Sequence, residues 1–257
     1  MSSTMNALNA EWIKLRTLRS TWWAVAASAL AMVASAPLTA MTMTNNNEAA
    51  HAAPGSVAYT SVAVQLTAYF VQFIVIAPAV LAITSEYAHG SLATSLQCVP
   101  VRARLLLAKA GVVAGLGFGA GVLNGALGTF TGGPSLEQYG VLDGGQAVRQ
   151  ILAMGVFCAL AAVFALGTGA VLRSSAGTVT VLFVVMLVLP LLLLGLAEVL
   201  GQTWLANLSE CFPSTAGIGF MSGDTHPFGP AVALLILAAW AAAALAAAAR
   251  VLNSRDA

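Results

Sequence analysis

Long apolar runs separated by short polar or charged intervals organise the chain from residue 22 to residue 251. A bilayer core about 30 Å thick takes about 20 helical residues, each rising about 1.5 Å. Six runs meet that length: 22–43, 59–83, 106–130, 147–172, 177–200 and 228–251. Ahead of them Met5, Leu8, Trp12, Leu15, Leu18 and Trp22 recur at steps of three and four, while Glu11, Lys14 and Arg19 fall elsewhere. Residues 1–21 are therefore expected to form an amphipathic helix in the plane of the membrane interface. The expected fold is an all-α integral membrane protein: this helix, a six-helix domain over 22–251, and a tail at 252–257.

Composition agrees, with 59% hydrophobic and 7% charged residues and a mean hydropathy of +0.89. Those values lie outside the usual soluble range. The run at 22–43 follows Lys14, Arg16 and Arg19 and contains Ala34, Ser35 and Ala36, which resembles a signal peptide with its cleavage site. It is too long for that, and Pro37 follows the supposed site, so it is read as a span. With both termini in the cytoplasm, Lys14, Arg16, Arg19, Arg102, Arg104, Lys109, Arg173, Arg250 and Arg255 all lie inside and Arg149 alone lies outside. The opposite orientation reverses that ratio, so the positive-inside rule selects this one. Formal net charge is only +1, which gives no reason to expect a nucleic-acid partner.

The intervals differ in kind. Residues 44–58 contain NNNEAAHAAPG, a turn-forming composition without periodicity, and 173–176 form a minimal connection. Residues 201–227 place Trp204, Leu205, Leu208 and Phe212 at helical spacing before Pro213, compatible with a short helix dipping into the outer leaflet or with a loop. Residues 84–105 leave one span, turn near Gly90, carry helical pattern over 91–97, break before Pro100 and re-enter the membrane. That is more than a connection requires, and it implies a cytoplasmic docking surface on which Leu92 and Leu96 share a face. Glu86 at its start could pair with a partner's cation or cap the turn.

Candidate chemistry is sparse. No GxxxxGK[ST] occurs, since Lys14 and Lys109 are the only lysines and neither follows such glycines, so no Walker site is expected. Cys98, Cys158 and Cys211 are dispersed and read as free thiols, and His51, His89 and His226 fall in loops without HExxH. No catalytic, cofactor or metal residue is assigned. Gly111, Gly115, Gly117, Gly119, Gly121, Gly125 and Gly128 crowd the third span, several of them four apart, as in closely packed membrane helices, whether within one chain or between two. In the second span Gln65, Tyr69 and Gln72 share a helical face, and with Asn124 they either line a substrate path or bond one helix to another.

Glu86, Gly90 with Ser91, Pro100, Arg102 and Lys109 resemble the E-x-x-x-G-[TS], P-x-x-R and K pattern of type-2 export permeases of ATP-binding cassette transporters. EWIKLRTLRSTWW, with Glu11, Trp12, Lys14 and Arg16, resembles the leader of their actinobacterial members, and LRSS at 172–175 resembles their fourth-to-fifth connection. The resemblance implies two permease chains, as homodimer or heterodimer, working with separate ATP-binding cassette ATPase subunits that carry the ATP and magnesium. It makes Glu86, Gly90, Ser91, Leu92, Leu96, Pro100, Arg102 and Arg104 the ATPase-coupling surface, and Glu11, Trp12, Lys14 and Arg16 part of a connecting helix beside it. Ser91 departs from the commoner Thr.

The expectation is a permease subunit of a plasma-membrane exporter, in contact with membrane lipid, that moves an amphiphilic drug, secondary metabolite, peptide or lipid. The ATP is hydrolysed by another subunit. A non-transporting membrane interaction or immunity protein is the alternative, and an enzyme acting on lipid would need a reactive cluster that the sequence does not supply.

Overall fold

A computed structural model describes residues 2–88, 102–223, 225 and 227–254. Helix α1 (Ser2–Thr17) lies ahead of six helices long and apolar enough to cross a membrane. These are α2 (Arg19–Ala49), α3 (Thr60–Ala88), α4 (Arg102–Gly132), α5 (Gly144–Leu172), α6 (Ser175–Leu200) and, after two short helices α7 (Thr203–Ser209) and α8 (Pro213–Ser222), α9 (Pro230–Ser254). The chain is thus an all-helical, multi-pass membrane protein. Among the described residues the one β element is a two-residue parallel bridge, β1 (Val57–Ala58) to β2 (Gly140–Val141), which ties two loops at the end of the bundle away from α1.

The core is unevenly shared. The most apolar stretches of α3, α4 and α5 are 61%, 56% and 61% buried, against 22%, 17% and 22% for α2, α6 and α9. Glycines set the central packing. A Cβ at Gly117 would stand 2.7 Å from the Cys158 carbonyl oxygen, and one at Gly121 2.6 Å from that of Met154, so α4 and α5 touch backbone to backbone. Two turns further, Gly128 faces Met32 and Ala63 of α2 and α3. The glycine spacing is therefore used within one chain here, while Gly115 and Gly119 face open space on the other side of α4.

Local chemistry explains the joints. Asp143 caps α5 by accepting hydrogen bonds from the Gly145 and Gln146 amides at 2.9 and 3.2 Å. Arg173 ends α5 in the left-handed region (φ 55°), and the Ser174 side chain accepts from the Gly177 amide to start α6, so two residues make the turn. Within α6 a π-helical turn at Val184–Val188 immediately precedes Pro190, whose ring and missing amide conflict with the regular ladder a turn earlier. A second π-helical turn, Thr67–Val71, interrupts α3, which then runs through Pro78 without ending.

Two boundaries differ from the sequence pattern. The amphipathic helix stops at Thr17 instead of residue 21, because Leu18 turns extended (ψ 111°) and the Thr17 hydroxyl caps the Ile13 and Lys14 carbonyls. The segment at 201–227 is a helical hairpin rather than a loose loop: α7 packs back on the end of α6, α8 packs on α9 and α5, and Gly217 lies so close to the Phe157 ring that a Cβ would collide with it.

Candidate functional site

The α1 end of the bundle carries the densest charge chemistry among the described residues. Glu11 and Leu15, four apart, share the buried face of α1, and Leu8 beside them packs toward Gly111 of α4. Glu86 ends one helix, in the last turn of α3, and Lys109 sits in the second turn of α4. Lys109 Nζ donates to Glu11 Oε2 at 2.6 Å and to Glu86 Oε1 at 2.7 Å. Lys14 Nζ, from the solvent side, donates to Glu11 Oε1 at 3.0 Å and to the same Glu86 oxygen at 3.2 Å.

Two carboxylates and two ammonium groups thus close a ring across three helices. Lys109 is buried, with 2% of its side chain exposed, whereas Lys14 is 46% exposed. A buried charge without a counter-charge would cost several kcal/mol, so this arrangement holds only while all three helices stay docked. Burial by itself would lower the Lys14 pKa, but its hydrogen bond to Glu11 and the charges of Glu86 and Glu11 outweigh that and raise it above the ordinary lysine value. Among the described residues Glu86 Oε2 has no hydrogen-bond partner. Next to it the Arg173 guanidinium lies 4.9 Å from the centre of the Tyr87 ring, joining the α5–α6 turn to the same corner.

The cluster brackets the segment read as a docking surface, since Glu86 precedes and Lys109 follows residues 89–101. Gly90, Ser91, Leu92, Leu96 and Pro100 lie outside the described residues, and Arg102 and Arg104 begin α4. Of the connecting-helix residues, Glu11 and Lys14 enter the cluster, while Trp12 and Arg16 point away from it and are exposed. Lys109 was assigned above only to topology and to the motif. A lysine within the apolar 106–130 run, with acids near both neighbouring helix ends, was the signal that it faces the bundle.

Polar residues at membrane depth divide into two groups. Gln72 is fully buried, and its Nε2 donates to the Ser214 hydroxyl at 2.9 Å and to the Ala68 carbonyl, joining α3 to α8. Asn124, also fully buried, donates to the Ser28 hydroxyl at 3.0 Å, joining α4 to α2. Gln65 is exposed and Tyr69 half-buried. At the end away from α1, Thr60 donates to Gln150 Oε1, and Gln150 Nε2 donates to the Ser222 carbonyl at 2.8 Å, clamping α3, α5 and α8 together. Sequence reasoning missed this clamp, because nothing in the spacing of Thr60, Gln150 and Ser222 marks them as neighbours.

A family model described as ABC-2 family transporter protein matches residues 7–189, from α1 to just past the π-helical turn in α6. The chain belongs to the ABC-2 transporter family. All four residues of the charged cluster lie inside the matched range, and helices α7 to α9 lie beyond it. No curated protein matches the chain. ABC-2 membership makes it a membrane permease of the ATP-binding cassette class, which is not itself the catalytic subunit, and implies an ATP-binding cassette partner in general.

Proposed function

We propose that this ABC-2 permease is the membrane subunit of an exporter driven by a separate ATPase, which docks on the segment between α3 and α4. The observation that carries the reading is the Glu11–Lys109–Glu86–Lys14 ring, because it fastens both ends of that segment to α1. A force applied to the segment by a partner is then shared by α1, α3 and α4, and α3 and α4 are core helices of the bundle. The unfilled Glu86 Oε2 supports a cationic group on the partner at this point. Nucleotide binding shifts the permease only if the ATPase contacts this surface differently in its two states.

The charge distribution supports cytoplasmic termini and a plasma-membrane location, with the α1 end inside. A second permease chain, identical or different, is supported by the apolar face of α6, where Leu191, Leu192, Leu196 and Val199 are exposed. The substrate is amphiphilic, a drug, secondary metabolite, peptide or lipid. Gln65 and Tyr69 are the better-placed candidates to meet it, because Gln72 and Asn124 already bond to neighbouring helices.

Purification of the tagged chain in mild detergent, with identification of bound subunits and an ATPase assay, tests the reading. The expected result is a stoichiometric ATP-binding cassette subunit whose retention falls with Glu86→Gln combined with Leu92→Ala and Leu96→Ala. A correctly inserted chain that retains no such subunit and shows no ATPase activity would instead favour a non-transporting membrane interaction protein.

A further inference from the structure

The joint between α1 and α2 carries a second chemistry that the charged ring does not use. Glu11 and Lys14 turn into the ring, and the outward face of α1 carries Trp12, Ile13 and Arg16, all exposed. Arg19, also exposed, opens α2 two residues beyond the end of α1, and Trp22 and Trp23 follow at 51% and 73% exposure. Neither Arg16 nor Arg19 forms an ion pair among the described residues. The joint itself is fixed: the Trp22 indole N–H donates to the Arg16 carbonyl at 2.9 Å across the break at Leu18. Two guanidinium groups without an ion pair among the described residues therefore flank exposed indoles where α1 meets a membrane span.

From this arrangement we infer that the α1–α2 joint is a binding site for an anionic phospholipid of the inner leaflet, whose phosphate is held by Arg16 and Arg19 and whose acyl chains lie along Trp22 and Trp23. Charge decides among occupants. A zwitterionic lipid offers no net charge to balance the two arginines, and a purely apolar partner surface would leave both of them unpaired. Guanidinium groups match phosphate in geometry, and indoles favour the boundary between headgroup and acyl chain. Lipid on the outer face of α1 and the charged ring on its inner face then hold one short helix from opposite sides. The inference rests on the orientation given under the proposed function, not on any ATPase.

Titration of the full chain in mild detergent with dioleoylphosphatidylglycerol or dioleoylphosphatidylcholine, read by native mass spectrometry, tests the site without a partner subunit. A failure here is therefore separate from a failure of the transport reading. Phosphatidylglycerol is expected to bind more tightly by about fivefold per arginine, or roughly 25-fold for the pair. Arg16→Gln with Arg19→Gln should remove that preference, Arg16→Lys with Arg19→Lys should keep most of it, and Arg149→Gln at the other end should leave it intact. Should the double Gln variant fail to insert, the native chain decides: a phosphatidylglycerol preference that weakens as salt rises supports the site. Equal binding of the two lipids, a preference untouched by the Gln pair, or a joint covered by a second copy with no lipid retained would overturn it.

Discussion

Replacing Lys109 with Met removes the one cation buried between Glu11 and Glu86 and leaves both carboxylates in place. Lys109 lies 2.6 and 2.7 Å from them with 2% of its side chain exposed, whereas Lys14, at 3.0 and 3.2 Å, is 46% exposed and can compensate only in part. Breaking a buried ion pair by removing one partner costs about 3–5 kcal/mol, and the remaining Lys14 argues for the lower end, about 3 kcal/mol. For a chain of this size that is a fall in melting temperature of roughly 6–12 °C, at about 2–4 °C per kcal/mol. The assay is thermal unfolding of the purified chain in one detergent, followed by intrinsic fluorescence and by loss of monodisperse elution. The triple variant Lys109→Met, Glu11→Gln, Glu86→Gln removes the stranded charges along with the lysine and should recover most of the loss, to within about 1 kcal/mol of the native chain. If the single variant melts within about 2 °C of the native chain, the ring does not hold the helices together. If the triple variant is no better than the single one, the cost does not come from stranded charge.

Gly121→Ala, which drives a Cβ to 2.6 Å from the Met154 carbonyl oxygen, should lower stability by about 1–3 kcal/mol, whereas Gly119→Ala, facing open space, should be neutral or raise it by up to about 1 kcal/mol. Paired melting curves in one detergent check this. Gln150→Leu strands the Thr60 hydroxyl and takes one donor from the Ser222 carbonyl, which keeps Arg149 at 3.5 Å, and should cost about 1–2 kcal/mol. Protease cleavage near residue 223 should rise with it, and an unchanged digestion pattern would remove the clamp from the account. Lys14 has a folded-state pKa raised above the ordinary value of 10.5, so its contribution is fully present below about pH 10.5 and is lost as pH rises through the folded value. Lys14→Met should therefore flatten the alkaline end of the stability profile above that pH and leave its shape near neutrality unchanged.

Membrane character, six spans and a helix ahead of them were legible in the sequence because each depends on neighbouring residues. A bilayer-spanning run is a local property of hydropathy, whereas the face by which α1 docks is not: Glu11 is buried beside Leu15 while Trp12 is exposed. The resemblance in the 84–109 region pointed to the right family, and Glu86 and Lys109 proved to be contacts of one another.

The ring itself was not legible, because Glu11 and Lys109 are 98 residues apart and their charges register in sequence only as orientation signals. The partners of Gln72 and Asn124 were equally hidden: the same amide at membrane depth can face a pathway or a neighbouring helix, and only the position of Ser214 and Ser28 decides which. The sequence determined what enters the membrane, since transfer free energy adds up along the chain. Tertiary structure decided which charges meet and which glycines close an interface, since ion pairing and packing depend on distances that only the docked helices define.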